Sequence, residues 1–206
     1  MGGVGQLDVS FEHNIREVAR DLSDFALRQL PFATSLALND TALAIQRNTL
    51  KALDRNLDRP TPFTRRGLLV LRSSKARLWA DVLFKDVQAE YLRWQERGGT
   101  RGPKGRAIPV PVTLKRNAFG NMGRGAVKAA AVRPDVFSGR PGGGRLKPGL
   151  YKRLPNGGLR LLVAFEAVAR YAPRLGFAEE AEKTARAFMP IAWERAMRRA
   201  IETARR

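Results

Sequence analysis

Residues 67–99 read GLLVLRSSKARLWADVLFKDVQAEYLRWQERGG, and this stretch decides the fold class. Its first part holds two apolar runs, 68–72 and 76–84, on either side of a Ser-Ser-Lys turn, which predicts a β-hairpin. Residues 86–97 then predict a short helix with Gly98 as its C-cap, because glycine adopts the backbone conformation that ends helices. A hairpin followed directly by a helix indicates an α+β fold.

Helical spacing dominates the chain before this hairpin. Apolar residues recur every three or four positions from Phe11 to Phe25 and predict one amphipathic helix. A second helix is expected to begin at Pro31, since proline suits a first helical turn, and to run through Leu53. It must stop before Pro60, because the residue preceding a proline disfavours helical geometry. The N-terminal third is therefore predicted to be helical.

Glycine and proline punctuate the middle of the chain, residues 98–158. A short strand is predicted at 108–114, where the alternating Pro109 and Pro111 would keep it at a sheet edge. Residues 133–149 carry the densest glycine and are expected to form a mobile loop or arm. This part of the chain is thus predicted to be rich in loops.

Regular structure is predicted to resume with a strand at 159–165. A terminal helix over 178–206 follows, kinked or divided by Pro190. We therefore expect one α+β domain, residues 1–206, in which N-terminal helices and a C-terminal helix pack on a small, mostly antiparallel sheet. Long basic loops rich in glycine and proline, including an extended arm at about 97–160, complete the prediction.

The positive charge lies in this same middle segment. The chain has 38 Lys and Arg against 19 Asp and Glu, a net charge of +19. Residues 97–160 hold 15 basic residues and one acid, Asp135, a net charge of +14. Such a segment attracts polyanions, either nucleic acid or acidic protein surfaces. The candidate partner- or DNA-contacting residues are Arg97, Arg101, Lys104, Arg106, Lys115, Arg116, Arg124, Lys128, Arg140, Arg145 and Lys147.

Signals of catalysis are weak. The chain has no cysteine and a single histidine, His13, which suits an exposed position at the start of a helix. No cluster of His, Cys or carboxylates predicts a metal site. The glycines of 139–146 have the spacing of a phosphate-binding loop but lack its Lys and Ser/Thr. A non-enzymatic protein without catalytic residues, cofactor or metal is therefore expected.

Membrane and secretory signals are also weak. The start, MGGVGQLDVSFEHN, is neither basic nor apolar enough for a signal peptide. No window approaches the roughly 18 uninterrupted apolar residues of a membrane helix. We expect a soluble protein without a membrane partner.

The physics of the basic segment leaves two partners open. Aromatic residues between its charges are few, namely Phe119, Phe137 and Tyr151, and no known nucleic-acid-binding signature occurs. Sequence-specific recognition is therefore not expected. Non-specific contact with DNA and docking on an acidic protein surface are equally compatible with these residues.

Several strings, taken in order, resemble one family. They are PFATSLALNDTA, EYLRWQERGGTRGPKG, AIPVPV, FGNMGRG, GLYKRLPNGG and FMPIAWERAMRRAIETAR, which together span about residues 31–206. The order resembles tailed-bacteriophage minor tail proteins of the Z type, which act in tail completion near the head-proximal end of the tail. The chain departs from the family most at 133–149, so the resemblance assigns no role to that stretch.

The resemblance implies a structural protein of the virion tail or neck, present in the host cytoplasm during assembly. It implies an oligomeric ring, with six copies as one candidate number, whose partners are other tail or neck proteins. Non-specific contact with DNA held nearby is a further expectation. Ring closure would use heterologous interfaces between copies. The alternative is a non-sequence-specific nucleic-acid-binding protein that uses the basic segment 97–160.

Overall fold

The computed structural model describes residue 23 and residues 25–204. The helix predicted from Phe11 and the histidine His13 lie outside the described residues, apart from the end of that helix at Phe25. After a π-helical turn at Phe25–Gln29, the helices are α1 (Leu30–Asn56), α2 (Pro62–Arg65), α3 (Asp86–Arg97), α4 (Ala126–Ala131) and α5 (Phe177–Ala204). The strands are β1 (Leu68–Leu71), β2 (Asp81–Phe84), β3 (Gly99–Arg101), β4 (Ile108–Pro111), β5 (Val136–Gly139), β6 (Gly149–Arg153), β7 (Leu159–Glu166) and β8 (Ala169–Tyr171).

The architecture is α+β, as predicted. The largest sheet has four antiparallel strands in the order β4-β7-β6-β5, and two-stranded sheets join β1 to β2 and β3 to β8. The predicted helix that begins near Pro31 is confirmed as α1, and the predicted strand at 159–165 is confirmed as β7. The terminal helix is confirmed as α5, but Pro190 does not divide it.

The predicted hairpin is confirmed in part. Strands β1 and β2 pair, and the backbone of Ser74 exchanges two hydrogen bonds of 3.0 Å with that of Arg77 to close the turn. The second strand, however, begins only at Asp81, so the prediction of a strand over 76–80 is wrong. Arg77 forms an isolated antiparallel bridge with Ser74, and its guanidinium carbon lies 4.2 Å from the ring centroid of Trp79.

The strand predicted at 108–114 is confirmed for 108–111, which form β4 at the edge of the sheet, and is wrong for 112–114. The Val112 N–H donates to the Leu162 carbonyl at 2.9 Å, which fixes the alternation of inward and outward backbone groups. Pro109 and Pro111 therefore occupy the positions that face away from β7. Since proline has no N–H, this edge lacks the donors that another strand would need.

The prediction of a loop or arm over 133–149 is wrong for 136–139, which form the edge strand β5. Val136 is buried, and the strand pairs with β6 along its whole length. The basic segment 97–160 holds strands β3 to β6, the start of β7 and the short helix α4, joined by turns and loops. Frequent glycine and proline hide these short strands from a reading of periodicity alone.

The chain divides into two compact units. The first contains the described part of 1–48 together with 69–83 and 179–204. Its core is formed by small side chains of α1 and α5, around which Phe32, Leu36, Phe188, Met189 and Met197 pack. The buried residues of that core are Ala33, Ala37, Ala192, Ala196 and Ala200.

The second unit contains 49–68 and 84–178 and has two apolar cores. One lies between the four-stranded sheet and α4, where Leu150 and Val163 are buried beside Ala130. The other joins Leu53, Leu92 and Leu175. This second core fixes α3 against the chain that leads into α5, and α3 carries the side chains described next.

Candidate polyanion-binding surface

The eleven predicted contact residues all belong to the second unit. Ten of them are exposed, and Arg101, the last residue of β3, is half-buried. Arg97 ends α3 and Lys128 lies on α4, whereas most of the others lie in loops. The structure thus spreads the predicted residues over one unit and places only a few of them in one cluster.

Few of these cations have a protein partner. Lys104 pairs with Glu90 at 2.7 Å, Lys147 pairs with Glu166 at 3.0 Å, and Arg140 donates from Nε to a backbone carbonyl. The remaining cations have no carboxylate partner among residues 25–204, which leaves a surplus of accessible positive charge. The cations without a carboxylate partner among these residues are Arg97, Arg101, Arg106, Lys115, Arg116, Arg124, Lys128 and Arg145.

One of the predicted cations, Arg101, and a further arginine, Arg93, lie over a pair of stacked aromatic rings. The rings of Trp94 on α3 and Tyr171 on β8 lie 6.3 Å apart with an interplanar angle of 27°. Arg93 lies over the Trp94 ring at 4.9 Å, and Arg101 lies over the Tyr171 ring at 5.9 Å, both measured from Cζ to the ring centroid. We call Arg93, Trp94, Arg101 and Tyr171 the cation–aromatic cluster.

The two glycines after α3 make this cluster possible. Gly98 ends the helix with φ 70° and donates its N–H to the Trp94 carbonyl, as the predicted C-cap. Gly99 pairs with Tyr171, and a Cβ built on it would lie 3.3 Å from Cζ3 of Trp94. Arg101 follows two residues later and therefore lies on the same face of the strand as Gly99. The string RWQERGGTR thus encodes a strand that starts against an indole.

A single carboxylate of α3 lies among the charges of the cluster. The pKa of Glu90 is below its ordinary value, first because Lys104 donates a hydrogen bond to it and then because of the charge on Lys104. The charges of Arg93 and Arg101 lower the pKa of Glu90 further. One carboxylate therefore faces three cations, and the net charge of this region is positive.

A second stack stabilises the four-stranded sheet. Phe137 on β5 and Tyr151 on β6 have ring centroids 5.9 Å apart, and Arg153 lies over Phe137 at 4.6 Å. Tyr151 is buried, and its hydroxyl donates to the Lys147 carbonyl at 2.7 Å. Two of the three aromatic residues predicted between the charges are thus in contact with each other.

The third aromatic residue, Phe119, lines an open cleft of about 460 Å³ in the second unit. The Oδ1 atom of Asn117 accepts the backbone N–H groups of Phe119 and Asn121, both at 3.0 Å, and so shapes the turn in the string FGNMGRG. Arg59 and Arg174 also line the cleft. Within residues 25–204, no group of three His, Cys, Asp or Glu residues is placed to hold a metal ion.

Sequence reasoning missed three of the four residues of the cation–aromatic cluster and included only Arg101. Trp94 and Arg93 lie just before the basic segment 97–160. The double glycine Gly98-Gly99 after α3 was the sequence signal that could have added these two residues to the predicted site. Tyr171 lies beyond the segment, and only the pairing of β3 with β8 brings it to Trp94. No local pattern in the sequence predicts the pairing of β3 with β8.

No family model matches the chain, and no curated protein or solved structure matches it. Among the helices over the described residues, none is both long enough and apolar enough to cross a bilayer. A fold class alone does not determine an activity, so the functional proposal depends on the residues of the second unit and their geometry.

Proposed function

We propose that the chain is a non-catalytic structural protein of a tailed-bacteriophage virion, a minor tail or tail-completion protein at the head-proximal end of the tail. The observation that carries the proposal is the surplus of exposed cations on the second unit that have no carboxylate partner among residues 25–204. The resemblance over about residues 31–206 gives these cations a setting. In a tail or neck they would face acidic neighbouring subunits or the end of the packaged DNA.

The proposed assembly is an oligomeric ring formed in the host cytoplasm and retained in the tail or neck of the virion. In a ring, each copy offers one surface to the next copy and a different surface to the previous one. Complementary charge raises the rate of such encounters and suppresses wrong partners. The cations of the second unit would serve this role without a cofactor.

Charge reversal in the basic segment tests this proposal. The test variant carries Lys104→Glu, Arg106→Glu, Lys115→Glu and Arg116→Glu, and is supplied to phage that lack the wild-type gene. A control variant carries Arg72→Glu, Lys183→Glu, Arg195→Glu and Arg199→Glu, which makes the same charge change at exposed residues of the first unit. Electron microscopy then counts complete particles, and circular dichroism compares helical content.

We expect the test variant to keep its helicity and to give unjoined heads and tails, because exposed side chains affect binding more than folding. The control variant is expected to give complete particles. Complete particles with the test variant would contradict the proposal. Equal failure of both variants would also contradict it, since it would trace the defect to total charge rather than to this surface.

A second candidate function is non-specific binding of nucleic acid. The cation–aromatic cluster favours it, because stacked aromatic rings beside arginines are typical of surfaces that bind nucleic acid without sequence preference. Binding of this kind weakens steeply with salt. Retention of labelled DNA by the purified protein at low salt, with release as salt is raised, tests this candidate.

A further inference from the structure

We infer that the cation–aromatic cluster, together with Lys104 and Arg97, is a binding site for the phosphodiester backbone of nucleic acid. The inference rests on the second candidate function and gives it a location. It does not depend on the tail assignment, because the site would bind nucleic acid whether or not the chain is part of a particle.

The guanidinium groups of Arg93 and Arg101 are held in place. Arg93 and Arg101 each lie over an aromatic ring, and these two rings stack on each other. Arginine stacked on a ring keeps its N–H groups available for hydrogen bonds to phosphate, which lysine cannot match in geometry. Holding a long side chain in place before binding reduces the entropy lost on binding.

The site carries a net positive charge. Four cations lie at this site, and the carboxylate of Glu90 pairs with one of them. The nearby carboxylate of Glu96 is already engaged, since it accepts the N–H groups of Phe177 and Ala178 at 2.8 and 3.0 Å. Arg93, Arg97 and Arg101 have no carboxylate partner among the described residues. An anion is therefore the ligand that this site lacks.

The loop beside the site is accessible from solvent. The loop after β3 contains Gly102 and Gly105, and a Cβ built on either would have no heavy atom within 4 Å. Lys104 and Arg106 of the same loop are exposed. The backbone of this loop is therefore uncrowded, and its two cationic side chains are accessible to a ligand from solvent.

Base stacking distinguishes nucleic acid from an acidic protein as the partner of this site. Trp94 and Tyr171 are both half-buried, and the guanidinium groups of Arg93, which is exposed, and Arg101 lie over their rings. A base gains energy by stacking on a ring or on a guanidinium plane, whereas a carboxylate gains none from the ring. The basic segment 97–160 has few aromatic residues of its own, and this cluster adds two from outside it. The observations therefore favour nucleic acid.

Tryptophan fluorescence tests the site directly. The chain has three tryptophans, so Trp79→Phe with Trp193→Phe leaves Trp94 as the sole emitter. The full-length protein is titrated with a 20-nucleotide oligo-dT and, separately, with poly-L-glutamate as a probe of acidic-protein binding. We expect oligo-dT to quench Trp94 at low salt, with recovery as salt is raised, and poly-L-glutamate to leave the emission unchanged.

Variants in this background locate the contact. Arg93→Gln with Arg101→Gln is expected to lower oligo-dT affinity about tenfold or more and to reduce the slope of log affinity against log salt by about 1.4, since each phosphate contact on a single strand contributes about 0.7. The control, Lys115→Gln with Arg116→Gln, removes the same charge from exposed positions and is expected to preserve the Trp94 quenching. Circular dichroism verifies that both variants fold.

Three outcomes would overturn the inference. Oligo-dT binding without a change in Trp94 emission would keep the second candidate function and remove this site. Equal quenching by poly-L-glutamate would replace nucleic acid by an acidic protein as the partner. No binding of oligo-dT at low salt would overturn both the site and the second candidate function, and would leave the tail assignment to its own test.

Discussion

The indole of Trp94 stacks on the phenol ring of Tyr171, with ring centroids 6.3 Å apart, and this contact joins the last turn of α3 to β8. Gly99 lies opposite Tyr171 in the strand pair and leaves room for the indole. The aromatic contact and the absence of a side chain at Gly99 are therefore two parts of one arrangement. It positions Arg93 and Arg101.

Replacing Gly99 by valine tests this arrangement. We expect Gly99→Val to lower the free energy of unfolding by about 1–3 kcal/mol, because a branched side chain at φ +116° is strained and its Cβ would crowd Trp94. Urea unfolding followed by circular dichroism measures the change. Gly102→Ala is the matched control, since a Cβ there meets no atom within 4 Å, and a loss equal to that of Gly99→Val would contradict the account.

The sheet has a second position that requires glycine. A Cβ on Gly149 would collide with the carbonyl oxygen of Val163 and lie 2.6 Å from Cδ1 of Leu161, next to the register shift between β6 and β7. Gly149→Ala is therefore expected to lower the free energy of unfolding by about 2 kcal/mol. Thermal unfolding beside Gly123→Ala, where the space is open, measures it, and equal midpoints would show that this register tolerates a side chain.

The alanine core of the first unit makes a third prediction. Ala192 is fully buried, so Ala192→Leu adds volume where none is free and should cost about 1–3 kcal/mol of stability. Ala187→Leu adds the same volume at an exposed position of the same helix, α5, and should change stability by less than about 0.5 kcal/mol. Chemical unfolding of both variants checks this, and an equal loss in the two would argue against a close-packed core at Ala192.

The only acid of the basic segment predicts a dependence on pH. Burial raises the pKa of Asp135, but hydrogen bonds from Arg133 and Lys152 outweigh it, so the folded pKa lies below the ordinary value. A lowered folded pKa means that the stabilisation is present above the unfolded pKa and is lost as pH falls through the folded one. Asp135→Asn should therefore destabilise the protein at pH 7, and the difference should shrink as pH falls through the folded pKa of Asp135.

Unfolding by urea at pH 7, 5 and 2 measures that difference between the wild type and Asp135→Asn. Asp81→Asn is the control, since Asp81 is exposed and has no cationic partner among the described residues. A stability gap for Asp135→Asn that stays constant over this range would show that its carboxylate does not stabilise the fold through ion pairs.

The sequence predicted those elements whose signals are local. Helix α3 has the predicted bounds because its end depends on Gly98, and β4 lies at an edge because Pro109 and Pro111 lack N–H groups. Strand β5 was missed, since it contains few apolar residues and owes its place to pairing with β6. Helix α4 was missed for a similar reason, because it is only one turn and a half of small residues beside glycines.

The sequence predicted the net positive charge of the candidate site but not the contacts between its side chains. Counting residues located the positive segment, since net charge needs no knowledge of contacts. The stack of Trp94 on Tyr171 depends on a strand pair between distant parts of the chain, which local periodicity does not encode. The alanine core around Ala192 also escaped prediction, because alanine contributes little to an amphipathic pattern.

The central claim is that this chain is a structural component of a phage tail. The most direct measurement is quantitative mass spectrometry of purified, intact particles from cells that express the gene at its natural level. The account predicts that the protein is present at a few copies per particle, in the constant ratio to a tail-tube subunit that a ring requires. Its absence from particles, with the protein recovered only from the cell lysate, would contradict the account.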